Sequence, residues 1–130
     1  MNVEGIIQED WASEPSVMEA CLRVWNELSS RPYQLDHYTF GDLHEMSKAT
    51  SESSVSTALL YLANPRLKVL KICLMYEFNG NVLELPDDEV QHFSRGEPVF
   101  HPEFGEAMKE SEILMCFTPG ARLHRVEGDA

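Results

Sequence analysis

A small α+β domain is the fold class this sequence predicts, and three observations carry that reading. The length, 130 residues, suits one domain with its own core. The first half holds three stretches with apolar residues at helical spacing. The second half opens on a dense run of β-formers closed by Asn-Gly, the residue pair of a tight hairpin. The expected organisation is a single domain with three parts. Residues 1–38 form an N-terminal strand and helix, 39–85 a core, and 86–130 an acidic extension containing a helix and strand.

The elements follow in order. "VEGII", residues 3–7, predicts a short strand. Ser13 and Ser16 are candidate N-caps for the next element, and Pro15 suits a first helical turn. From there to Ser30, Val17, Cys21, Val24 and Leu28 form one helical stripe, widened by Met18, Leu22 and Trp25. The apolar arc is broader than one neighbour covers. Such an arc suits a central core helix, and its extra edge makes Leu22 and Trp25 the interface candidates for a second chain, as a homodimer or a tight hetero-complex. Pro32 ends this helix.

Thr39 caps a short helix reaching about Lys48, with Phe40, Leu43, His44 and Ser47 on its inner face. "ATSES" turns a corner, and Ser51 or Ser53 caps a second helix that runs to about Ala63. That helix turns Val55, Ala58, Leu59 and Leu62 inward, and Asn64-Pro65 stops it. "LKVLKICLMYEF", 67–78, predicts a strand, "NGN" a type I′ turn, and "VLEL", 82–85, the returning strand.

Helix, corner, helix and β-hairpin is the order of a winged helix-turn-helix domain, which residues 39–85 resemble. Leu43, Met46, Ser47, Val55, Ser56, Ala58, Leu59 and Leu62 carry the likeness, at the usual core and small-residue positions. The resemblance covers about a third of the chain and implies a scaffold rather than a task. The superfamily includes DNA readers, RNA binders and protein adaptors.

Beyond it, "LPDDEVQHFSRG", 85–96, predicts a helix started near Pro86–Asp88, with acids in its first turn, and stopped by Gly96. "EPVF", 97–100, predicts a strand, "HPEFGE" a turn, "SEILMCFTP", 111–119, a buried strand, and "GARLHRVEGDA" a frayed tail. The stiff turn around Pro102 brackets two aromatics, Phe100 and Phe104. Phe104, on the turn itself, is expected to be the more exposed and a candidate anchor for a partner.

Composition narrows the function classes. With 43% hydrophobic and 25% charged residues the chain reads as soluble and globular. No apolar run is long enough to span a membrane, and the first residues lack the basic and apolar regions of a secretory signal, so the expected location is cytoplasmic. Cys21, Cys73 and Cys116 stand far apart without CxxC spacing, which predicts buried reduced thiols rather than a disulfide framework or a zinc ribbon. The net charge is −12. A near-neutral middle, residues 39–85, lies between two acidic flanks, so charge disfavours a polyanion at long range without excluding contact by the middle.

No constellation predicts an enzyme, a cofactor or a metal. His37, His44, His92, His101 and His124 never adopt metal-ligand spacing, and His92, His101 and Glu103 form the one set conceivable in space. Asp87, Asp88 and Glu89 read as a solvated helix start. No nucleophile elbow, P-loop or dinucleotide fingerprint occurs.

The helix in the reading position has an outer face of Ser53, Ser56, Thr57, Leu60 and Asn64, with Tyr61 close by. Small polar side chains can contact bases, but groove readers bring Arg or Lys to phosphate and guanine, and this face has neither. An apolar residue ringed by small polar ones suits a protein surface. Ser53, Ser56, Thr57, Leu60, Tyr61 and Phe104 are therefore the expected protein-binding residues. Lys48, Arg66, Lys68 and Lys71 would hold phosphates in the alternative, a dimeric DNA-binding transcriptional regulator. The leading expectation is a non-catalytic regulatory or accessory protein with a protein partner of unspecified identity.

Overall fold

The computed structural model describes residues 2–49 and 51–123. His124 and most of the expected frayed tail lie outside them. The fold class is α+β, and the chain forms two compact units. One runs from the start to Lys71 and resumes at Phe117; the other is Ile72–Cys116.

The first unit is helical. "VEGII" is not a strand: α1 spans Val3–Asp10. Its β-branched residues suggest extended chain, but Asn2 caps the helix, its side-chain oxygen accepting from the Gly5 N–H at 3.1 Å. Val3 and Ile7, four residues apart, are then buried on one face. α2, Pro15–Ser30, has Pro15 at its first position. Its N-cap is Glu14, with no side-chain cap, rather than Ser13 or Ser16. The stripe Val17, Cys21, Val24 and Leu28 is buried as its spacing predicts, together with Ala20.

α3, Phe40–Ser47, begins with a reciprocal capping box. Thr39 Oγ1 accepts from the Asp42 N–H, and the Asp42 carboxylate accepts from the Thr39 N–H, both at 3.0 Å. After Lys48, in the left-handed region at φ 55°, Ser51 caps α4, Glu52–Leu62. Ser47 fastens the corner: its hydroxyl donates to His44 O and accepts from the Ala49 N–H. Val55, Ala58, Leu59 and Leu62 of α4 are buried, and α2 packs against both α3 and α4. Tyr38 is fully buried. Its backbone exchanges hydrogen bonds with Phe117, while its hydroxyl donates to Gln34 Oε1 and accepts from the Leu35 N–H.

The second unit is built on a hairpin. β1, Leu70–Phe78, pairs antiparallel with β2, Asn81–Glu84, with Tyr76 opposite Leu83 and Phe78 opposite Asn81. Asn79 and Gly80 both have positive φ, 53° and 79°, as the type I′ turn requires. β3, Leu114–Pro119, completes a sheet of order β2-β1-β3. α5, Asp87–Ser94, lays Val90 and Phe93 against a core of Leu74, Tyr76, Leu85 and Val99. The strand expected over 97–100 is absent: only an isolated bridge joins Phe100 to Ala107. Pro98 has no N–H to give a ladder, and the chain turns back at once, with the His101 N–H donating to Glu106 O.

Candidate protein-binding face

α4 holds one charged residue, Glu52, in its first turn. Its buried row leaves Ser53, Ser56 and Thr57 in solvent, and Leu60, one turn further along the same face, 54% exposed. That much of the expected face stands together. Neither Lys nor Arg occurs anywhere on the helix, so it presents no donor for a bidentate guanine contact and no cation for a phosphate.

Tyr61 is held elsewhere. Its ring meets Trp11 edge-on at 5.2 Å between centroids, and its hydroxyl donates to Asp10 Oδ2 at 2.5 Å. Burial, then the hydrogen bond and charge of Asp10, push its phenol up to about 12. Arg66 forms an ion pair with the same carboxylate, and that negative charge raises the pKa of the guanidinium. Two side chains expected to serve different binding surfaces thus clamp the end of α1 to the end of α4. Hydropathy spacing treats Tyr61 as the neighbour of Leu60. The signal for its packing role is Asp10-Trp11, at the end of α1 and 51 and 50 residues away in sequence.

The other candidate phosphate ligands are exposed. Lys48 lies in a cleft of about 390 Å³ that Glu27, Asp42 and Glu45 also line. Lys68 takes a left-handed conformation, φ 54°, after Arg66 and Leu67, and Lys71 projects from β1. Leu22 and Trp25, the expected interface pair on α2, are half-buried rather than presented.

In the second unit Phe104 is 66% exposed and Phe100 43%. The order matches the sequence reading, although neither ring is core. Hydrogen bonds and ring contacts hold the Phe104 turn. His101 is nearly buried, and its Nδ1 accepts from the backbone N–H groups of Glu103 and Phe104 at 3.0 and 3.4 Å. The His101 ring lies 4.5 Å from that of Phe104, and Phe78 meets Phe104 at 5.6 Å. The metal set conceivable from sequence is not assembled. His101 spends Nδ1 on the turn, Glu103 accepts from the Tyr76 hydroxyl, and His92 Nδ1 pairs with Glu89. Glu89 also accepts the Phe100 N–H at 3.0 Å, so the first-turn acids of α5 are not all a solvated start.

Sequence reasoning missed several presented apolar side chains. Tyr33, Leu35, Val82 and Leu114 are all exposed. Val82 and Leu114 lie in strands, where composition alone reads them as buried. Among the described residues no helix is long and apolar enough to cross a membrane. The chain matches no protein-family model, no curated protein and no solved structure.

Proposed function

We propose that this chain is a non-catalytic regulatory or accessory protein that binds a basic protein partner through the outer face of α4, on a winged-helix scaffold. The observation that carries the reading is the cation-free α4 surface with Leu60 exposed in its last turn. Arg66 supports it from the other side. Its guanidinium is engaged by Asp10, which weakens the alternative of a phosphate-gripping DNA regulator. The net charge of −12 favours a basic partner by long-range attraction. The scaffold assignment rests on the order α3, corner, α4, hairpin and on the cap residues that enforce it.

The test is to copurify the native complex with tagged wild-type chain and with Leu60→Asp. Seating a carboxylate in an apolar contact without a partner charge is costly, so a folded Leu60→Asp chain should lose the partner by a factor of about 30 or more. Unchanged recovery of the partner by the folded variant refutes the docking role.

A further inference from the structure

The three cysteines are distant in sequence, but the fold brings two of them into contact. Cys73 lies on β1 and Cys116 on β3, its neighbour in the sheet. The Gly120 N–H donates to Val69 O, and four residues inward along each antiparallel strand place Cys73 opposite Cys116. Their sulfurs are 2.7 Å apart. Facing residues on antiparallel strands have Cα atoms about 4.5–5.5 Å apart, within the range a disulfide spans. Closing the gap to a bond of about 2.05 Å takes a side-chain adjustment of about 0.7 Å and no change of register. The Met75 thioether, 3.8 Å from Cys73 Sγ, adds a third sulfur on the same face of β1.

We propose that Cys73 and Cys116 form a redox-active dithiol, a modification site whose reactant is a two-electron oxidant of the hydroperoxide class. One thiol loses its proton and its sulfur attacks the peroxide. An S–O bond forms, the O–O bond breaks, and water or the corresponding alcohol leaves. The second sulfur then attacks the resulting sulfenic acid. The S–S bond forms, the S–O bond breaks, and water departs with the second proton. The two thiols lose two electrons and two protons, and the peroxide takes up both. Contact between the sulfurs decides the product, because the sulfenic acid meets a resolving thiol before a second oxidant reaches it. Burial favours the same outcome: Cys73 is 1% exposed and Cys116 4%, so oxidant enters by local opening rather than by standing access. The bond would tie the middle strand of the sheet to β3. Cys21, buried on α2 with its sulfur 4.0 Å from Ala58 O, is the internal control.

The experiment treats the full reduced chain with hydrogen peroxide, alkylates it under denaturing conditions with N-ethylmaleimide, and reads intact mass and peptide map. The reduced chain has three thiols to label. The oxidised chain should carry one label, on Cys21, and a peptide cross-link between Cys73 and Cys116 that dithiothreitol reverses. Cys21→Ser should leave the cross-link unchanged, whereas Cys73→Ser and Cys116→Ser should each abolish it. Retention of all three labels, a bridge involving Cys21, an intermolecular bridge, or sulfinic acid in place of the cross-link would overturn the proposal.

Discussion

Asp10, Trp11, Tyr61 and Arg66 show how a residue's neighbours decide its task. Asp10 accepts from both Tyr61 and Arg66 while Trp11 packs edge-on against the Tyr61 ring. Tyr61→Phe keeps the ring contact and removes the hydroxyl. Urea unfolding should show a loss of about 1–2 kcal/mol, with partner recovery unchanged. Loss of the partner without loss of stability would return Tyr61 to the binding face.

Tyr61 and the buried Cys21 set an alkaline limit. Burial pushes the Cys21 thiol up to about 12 from 9.0, and the Tyr61 phenol rises to about 12 from 10.0. Both groups are neutral when protonated, and the folded chain holds those protons more tightly than the unfolded chain. Their stabilisation is therefore complete below about pH 9 and is lost as pH rises from there towards 12, with a slope of at most about 1.4 kcal/mol per pH unit for Cys21 and a smaller, solvent-screened one for Tyr61. Denaturant titrations should show Cys21→Ala losing the part of this decline that begins near pH 9. A wild-type stability that is flat from pH 9 to 12 would contradict the assignment.

At the scale of elements, close approach is as decisive as hydropathy. A Cβ on Gly120 would collide with the backbone of Lys68 and Val69, which no side-chain rotation can relieve. Gly120→Ala must move the chain, and should cost about 3 kcal/mol in thermal or urea unfolding. Leu59→Ala in the buried row of α4 should cost about 2–5 kcal/mol. Phe104→Ala, on the exposed turn, should leave the melting temperature nearly unchanged, and a strong loss there would make the ring core.

These contrasts explain what could be read from sequence. α2, α3, α4 and the hairpin were legible because each carries a local signal of its own. Pro15, Thr39 with Asp42, Ser51 and Asn79-Gly80 act within a few residues of themselves. α1 lacks such a signal within its apolar run, because its cap, Asn2, precedes that run and its β-branched residues argue the other way. The exposed face of α4 was legible at Leu60, where one helix's periodicity suffices. It was not legible at Tyr61, whose partners lie 50 or more residues away on α1. The meeting of Cys73 and Cys116 was hidden for the same reason, since strand pairing across 43 residues leaves no local trace.

For the whole molecule the question is what an acidic chain can do with a helix pair, α3 and α4, whose second helix carries no cation. Ten acids and two bases fall within Ile72–Cys116, and α4 adds no cation to offset them. A protein that neutralised phosphates would need Lys48, Lys68 and Lys71 to act together against that field, with Arg66 drawn away from Asp10. The most direct measurement is fluorescence anisotropy of a labelled mixed-sequence DNA duplex titrated with the full chain at about 50 mM salt and again at about 200 mM. The account predicts no saturable rise at either salt. Binding at low salt that weakens steeply at high salt, and that Lys68→Ala and Lys71→Ala together abolish, would contradict it.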